Sequence, residues 1–246
     1  MADEEYLSRA RSFGSRAADY AAHRPDYPAD GIRWALGGAA RSVLDLAAGT
    51  GKLTDGLLPL GLEVTAVEPD EEMRAELTRR LPTVEALAGT AEAIPLAAGS
   101  VDAVLVGQAF HWFDQEAALD EIGRVLRPGG TVGLLWNGED SSVEWMAGLL
   151  AVAGTSVGNS APARSTMPGH PSFCPPEVAW FPHTQRRTAD SLAATFATHS
   201  RMIVIAERER ELVLGRIREY LSTRPETAHG EFDAPLVTKV VRAKRR

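Results

Sequence analysis

The sequence predicts an α/β protein organised on a doubly wound, mostly parallel sheet, finished by an antiparallel edge pair near its C-terminal end. Two observations lead there. Between Arg41 and Trp136, short apolar runs alternate with segments of helical character, the rhythm of right-handed βαβ crossovers in a parallel sheet. The first run, Val43 to Leu46, breaks into Ala47-Ala48-Gly49-Thr50-Gly51 before a helix begins near Lys52. A strand, a tight glycine turn and a helix start together aim backbone N–H groups at an anionic or polar ligand group. The glycines let the backbone come close to it.

The length of 246 residues suits one large α/β domain with an elaborated cover. Residues 1 to about 40 are rich in Ala and Arg, with Tyr6, Phe13, Tyr20, Tyr27 and Trp34 spaced through them. Helices are expected on either side of Arg24-Pro25-Asp26-Tyr27-Pro28, because two close prolines interrupt a helix. This segment is assigned as a helical cover across the end of the sheet. Strand one is Ser42 to Leu46, followed by a helix from about Lys52 to Pro59. Strand two is Glu63 to Glu68, and its helix runs from Glu71 to Leu81 with Asp70 as N-cap. A short strand over Val84 to Ala88 precedes a loop, Gly89 to Gly99. Strand four is Val101 to Val106, with a helix from about Gln115 to Leu126. The turn Arg127-Pro128-Gly129-Gly130 leads into strand five, Thr131 to Trp136.

After Trp136 the alternation stops. A short helix is expected over Val143 to Val152, with Trp145 and Leu149 on one face. Ala153 to Pro176 is rich in Gly, Ser and Pro and too long for an ordinary connection, so it is read as a mobile lid over a substrate. A strand over Val178 to Gln185, helices over Ala189 to Thr198 and Glu207 to Leu221, and a last strand over Pro235 to Val241 complete the chain. These two strands are the expected antiparallel edge pair. The chain is read as a single domain: cover 1–40, cofactor-binding core 41–137, lid insertion 138–190, C-terminal helices and last strand 191–246.

Composition excludes several classes of function. The formal net charge of −7 sets the chain against non-specific nucleic-acid binding, and the basic run Arg242-Ala243-Lys244-Arg245-Arg246 is read as a solvated terminus. A single cysteine, Cys174, forms no internal disulfide framework and fits a reducing compartment. No Cys–His cluster has zinc-site spacing, so no metal is expected. The start, Met1-Ala2-Asp3-Glu4-Glu5, lacks the apolar stretch of a signal peptide, and no run approaches a membrane span. A cytoplasmic protein with no membrane or nucleic-acid partner is expected.

The chemistry is read at the glycine turn. Glu68 ends strand two, 19 residues beyond Gly49, a spacing at which an acidic side chain meets ribose hydroxyls. A dinucleotide and S-adenosylmethionine both place an adenosine ribose at such a corner. The dinucleotide fingerprint wants a third glycine where this chain has Thr54. Asp45, inside strand one, can order the glycine loop or reach a cofactor's amino group. An anion is misplaced beside a pyrophosphate and well placed beside a cationic amino-acid tail.

Val43 to Thr54 resembles the first motif of the class I S-adenosylmethionine-dependent methyltransferases, with Asp45 and then Gly49-Thr50-Gly51; Ala47 stands where many members have glycine. Val67-Glu68-Pro69 resembles the family's second-strand acid, and Gly89-Thr90-Ala91-Glu92-Ala93-Ile94-Pro95 its adenine-binding loop. Thr90 there replaces an acidic residue, which leaves the Ala91 N–H and Glu92 as adenine contacts. Val101-Asp102-Ala103-Val104 resembles the fourth strand, and Val125-Leu126-Arg127-Pro128-Gly129-Gly130 the turn before the fifth. The resemblance runs in order over roughly residues 20 to 136. It implies a Rossmann-like fold and S-adenosylmethionine as cofactor.

Tyr20 to Pro28 and Gln108-Ala109-Phe110-His111-Trp112-Phe113 are similar to a small-molecule branch of that family that includes trans-aconitate methyltransferase. From the N-terminal cover Tyr20 and Arg24, the latter through its forked donors, are candidates to meet the cofactor's carboxylate, and Gln108 is assigned to the cofactor site. His111 follows strand four at the carboxyl-end corner where open α/β sheets bind ligands, so it is the candidate base or substrate contact, and Trp112 and Phe113 wall the cavity. His170, His183 and His199 have no partner visible in the sequence and are assigned surface or core roles. The expected activity is transfer of a methyl group to a small-molecule acceptor, at a carboxylate or hydroxyl oxygen, by in-line displacement. The competing readings are an NAD-dependent oxidoreductase and a cofactor-binding protein without turnover.

Overall fold

The structure, a computed structural model, describes residues 24–154, 166–199, 202 and 205–246. In chain order its elements are α1 (Ala29–Leu36), β1 (Ser42–Leu46), α2 (Lys52–Leu57), β2 (Glu63–Val67), α3 (Glu71–Arg80), β3 (Glu85–Leu87), β4 (Val101–Gly107), α4 (Gln115–Val125), β5 (Leu126–Glu139), α5 (Glu144–Val152), β6 (Glu177–Arg187), α6 (Ala189–Ala197), α7 (Glu207–Ser222) and β7 (Phe232–Lys244). Among the described residues the strands form one seven-stranded sheet in the order β3-β2-β1-β4-β5-β7-β6. The five strands from β3 to β5 run parallel. β7 lies antiparallel between β5 and β6, which is the expected antiparallel pair at one edge.

The central strands are continuous apolar runs because both their faces are covered. On one face Leu44, Leu46, Val104, Val106, Leu134 and Trp136 meet α4 through Leu119 and Ile122. On the other, Val43, Ala103, Leu105, Leu135 and Val240 meet α1 and α2 through Ile32, Ala35, Leu53 and Leu57. β6, at the edge, alternates exposed and half-buried positions, as a strand covered on one face should. The helices α5, α6 and α7 build a third cluster of their own, with Trp145, Leu149, Phe196, Ile217 and Leu221 around Phe232 at the start of β7. Caps appear where the sequence offers them. Asp70 accepts from Met73 N, and Asp114 from Ala117 N. Thr188 and Ser191 form a reciprocal capping box at α6.

Three expectations change. β5 runs on to Glu139, past the expected end at Trp136, because β7 pairs with it as far as Glu139↔Leu236. The basic end is not a solvated tail: Arg242 lies within β7, its guanidinium 4.1 Å above the Trp34 ring and 2.8 Å from Glu177, while Arg245 donates to the Leu126 carbonyl. Sheet pairing satisfies this backbone and draws the arginines onto neighbouring groups. Of the lid over 153–176, residues 155–165 lie outside the described residues. The part from 166 to 176 is a packed strap, with Met167 and Phe173 buried in the α4-side core and the Cys174 N–H donating to the Lys244 carbonyl.

Candidate functional site

The carboxyl ends of β1, β2 and β4 meet at the glycine turn. Asp45 in β1 points to the same face as Val43, towards α2, and is fully buried. The Thr54 hydroxyl donates to its Oδ2, which explains why a threonine rather than a glycine occupies that position of the helix. Among the described residues the Asp45 Oδ1 has no hydrogen-bond partner. Burial pushes the Asp45 carboxyl up to about 7; the Thr54 bonds pull it down and the nearby Glu68 charge adds a further push upward. A folded-state value above the unfolded one means that the native state holds the extra proton between about pH 4 and 7. Stability contributed by this group is therefore present at low pH and lost as pH rises through that window. Asp45→Asn should remove this slope. Urea denaturation at pH 5 and pH 8 is expected to show the variant gaining on the parent at pH 8 by a few kcal/mol on the order of the shift.

The turn itself winds through three left-handed positions, Ala47 (φ 55°), Gly49 (φ 57°) and Gly51 (φ 83°). At Ala47 a methyl is present where the backbone favours glycine. Ala47→Gly is expected to stabilise the protein by about 1 kcal/mol, read as a higher urea midpoint, since alanine in this region is strained by roughly that amount. At Gly49 an added Cβ would meet nothing within 4 Å, whereas at Gly51 it would sit 3.0 Å from Leu77 and Leu81 of the α3 segment. The first glycine therefore faces open space and the second faces the core.

Glu68, just past β2, is 7% exposed. Its Oε2 accepts from Gly49 N at 2.8 Å and its Oε1 from Asp70 N at 2.9 Å. One carboxylate thus ties the glycine turn to the end of the second strand. Burial raises its pKa, and the two N–H donors oppose the rise. An ionised carboxylate has about four acceptor positions, so two remain for hydroxyl donors.

The loop after β3 closes the next side. Ala91 is buried, and Thr90 is exposed with its carbonyl accepting from Ala93 N. Glu92 accepts from Asp114 N at 3.1 Å, so its carboxylate helps hold the start of α4. Arg124 fixes the loop by donating to the Ile94 and Leu96 carbonyls. At the end of β4, Gln108 is also left-handed (φ 60°). Its N–H donates to Leu135 O and its Nε2 to Asn137 O, both at 2.8 Å. His111 sits in a short 3-10 turn, Phe110–Trp112, with its ring centroid 4.9 Å from that of Trp112. It is exposed by area, and desolvation of its ring lowers its pKa.

Residues 24–28 lie over this corner. Lys52, at the start of α2, reaches Asp26 at 2.8 Å, and the Asn137 Nδ2 donates to the Asp26 carbonyl at 3.1 Å. Tyr27 covers Gly107, where a Cβ would clash with its hydroxyl oxygen. Arg24 donates from Nη2 to the Thr198 carbonyl at 3.0 Å, joining the N-terminal cover to the end of α6. Tyr20 lies outside the described residues. The structure thus brings Asp45, Ala47, Gly49, Gly51, Glu68 and Gln108 to one corner, with Thr90, Ala91 and Glu92 on the adjoining loop.

The three histidines without a visible partner each have one. His170 lies 3.5 Å from Asp120, His183 3.0 Å from the Thr238 hydroxyl, and His199 3.5 Å from Glu139. The Thr238 hydroxyl donates to Asn137 Oδ1, so its oxygen is left to accept from His183 Nε2. Asn137 and Glu139 follow the carboxyl-end logic that singled out His111 and were open to the same reasoning. His199 was not, because its partner is far away in sequence.

These observations fit an adenosyl cofactor with a cationic amino-acid tail. Among the described residues Gly49 faces open space, Glu68 keeps acceptor positions, and Asp45 presents a buried oxygen without a partner. Among the described residues no group of three or more His, Cys, Asp or Glu side chains could hold a metal ion. No helix there is long and apolar enough to cross a membrane.

Comparison with known proteins agrees with this geometry. Residues 44–134 match the family described as "Methyltransferase domain". A protein of Mycobacterium tuberculosis named an uncharacterized methyltransferase is 44% identical over 234 residues, which is 94% of this chain and 95% of that one. An uncharacterized methyltransferase-like protein of Schizosaccharomyces pombe is 35% identical, covering 87% of this chain and 88% of its own. A solved structure from Anaeromyxobacter dehalogenans, described provisionally as a type II methyltransferase, superposes with a TM-score of 0.64 at 26% identity, covering 90% of this chain and 97% of that one.

Proposed function

The chain belongs to the class I S-adenosylmethionine-dependent methyltransferases, and on that premise we propose that it methylates a small-molecule acceptor at oxygen. S-adenosylmethionine supplies a methyl group already activated on a cationic sulfur. The protein's task is to align an acceptor with it and keep water away. Positioning of this kind is worth effective molarities of about 10⁵–10⁸ M, and a dry site leaves the charges unscreened.

The observation that carries the small-molecule reading is the roof. Residues 24–28 are tied to β5 by Asn137 and to α6 by Arg24, so the chain itself covers the carboxyl ends of β4 and β5. In the roles we assign, Glu68 accepts from the ribose hydroxyls. Asp45 faces the cationic amino-acid tail, directly or through water. Ala47, Gly49 and Gly51 shape the turn that lets the cofactor approach. The Ala91 N–H, with Thr90 and Glu92 on its loop, borders the adenine, and Gln108 borders the methyl end. Arg24, with Tyr20 beside it in sequence, serves the tail's carboxylate, and His111 lines the acceptor side. We read residues 1–246 as a single domain, and its one cysteine and acidic composition suit the cytoplasm.

Calorimetry with S-adenosylmethionine and S-adenosylhomocysteine, followed by a panel of carboxylic acids, phenols, alcohols and amines, tests the proposal. The likeness of residues 20–28 and 108–113 to the branch that includes trans-aconitate methyltransferase makes small acids the first members to try. Both cofactor forms should bind, and S-adenosylhomocysteine should accumulate with an oxygen nucleophile. Turnover confined to amines would refute the oxygen assignment.

A further inference from the structure

Glu139 and His199 take no part in the cofactor corner, yet they meet at the carboxyl end of β5, one strand beyond it. Glu139 Oε1 lies 3.5 Å from His199 Nε2, and the two side chains are 13% and 27% exposed. They are sheltered but reachable. The route from the corner is short: Gln108 at the end of β4 holds the Asn137 carbonyl, two residues before Glu139 on β5. Asn137 in turn holds the Asp26 carbonyl, and Arg24 holds the Thr198 carbonyl beside His199.

We propose that His199, oriented by Glu139, takes the proton from an acceptor hydroxyl as the methyl group is transferred, so that the acceptor is a phenol or an alcohol. This rests on the oxygen-acceptor reading above. In the step, the hydroxyl proton passes to an imidazole nitrogen while the oxygen bonds to the methyl carbon. The carbon–sulfur bond breaks with its electron pair staying on sulfur. The products are a methyl ether, S-adenosylhomocysteine and an imidazolium that later gives its proton to solvent. A carboxylate acceptor, already ionised, would need no such group.

The surroundings suit a proton acceptor. Burial lowers the imidazole pKa, the Glu139 charge raises it, and the Arg24 charge lowers it; among the described residues these are the charged groups acting on the ring. The balance favours the neutral ring. His199 follows the last turn of α6, its N–H bonded to the Phe196 carbonyl, so the negative end of that helix favours the imidazolium once formed. With Nε2 turned to the carboxylate, a neutral ring carries its proton there and leaves the Nδ1 lone pair to act as base.

The test follows S-adenosylhomocysteine formation from S-adenosylmethionine with phenols, alcohols, carboxylic acids and amines between pH 5.5 and 9. A phenol or alcohol is expected to be methylated, with kcat/KM rising through one ionisation in the imidazole range. His199→Gln should lower kcat about 100-fold or more, abolish that ionisation and leave S-adenosylhomocysteine affinity unchanged. Glu139→Gln should shift the ionisation downward and reduce kcat less. This second variant decides the matter if His199→Gln does not fold. An unchanged pH profile in either variant overturns the assignment. So does methylation of a carboxylic acid at equal rate in His199→Gln, while leaving the oxygen-acceptor reading intact. Turnover of amines alone, or of none of these compounds, brings down both.

Discussion

Glu68→Gln is expected to cost the protein about 100-fold in affinity for S-adenosylhomocysteine, as much as Glu68→Ala. The carboxylate accepts from two backbone N–H groups, Gly49 on one oxygen and Asp70 on the other. A carboxamide of the same size must turn its NH2 group towards one of them, placing donor against donor. The charge-assisted bonds lost here are worth roughly 1.5–3 kcal/mol each. One such bond lost at the turn and one to a ribose hydroxyl together reach the roughly 3 kcal/mol that 100-fold requires. Calorimetry on the folded variant reads the affinity, and thermal unfolding separates loss of the site from loss of the fold. Full affinity in Glu68→Gln would remove the clamp from the cofactor site.

The two glycines of the turn should fail in opposite ways. Gly51→Ala combines a left-handed backbone, about 1–2 kcal/mol for an L residue, with a methyl 3.0 Å from Leu77 and Leu81, an overpacking cost of about 1–3 kcal/mol. A loss near 3 kcal/mol, or roughly 10 °C in Tm for a protein of this size, is expected. Gly49→Ala has the same backbone cost and no crowding. It should lower stability by only about 1 kcal/mol, while its methyl enters the open space and weakens S-adenosylhomocysteine binding at least tenfold. Equal binding by Gly49→Ala and the parent would mean that the cofactor does not occupy that space.

Local signals carried far in this chain. The parallel core was readable because strands buried on both faces spell continuous apolar runs and the glycines interrupt them at one place. The cap at Asp70 needs only neighbours within a few residues. The seventh-strand arrangement was readable in outline but not in extent. Where β5 ends depends on β7, about a hundred residues on, and no local pattern encodes that pairing. The same reason hid the meeting of Glu139 with His199, which comes about only after the sheet and the helical cluster are assembled. Arg242 looked like part of a solvated basic tail because its strand partners lie elsewhere in the chain.

The placement of β7 also constrains how the molecule can be made. Among the described residues β6 has no sheet neighbour other than β7, and α5, α6 and α7 gather their apolar faces around Phe232, the first residue of that strand. During synthesis the parallel core from β1 to β5 can assemble as it emerges, since chains grow at about 5–20 residues per second and local units form far faster. The helices and β6 made next must wait for the final strand to slot between two existing ones. Until then the open side of β5 is a bare row of backbone donors and acceptors, the stage at which nascent copies would be most prone to stick to one another.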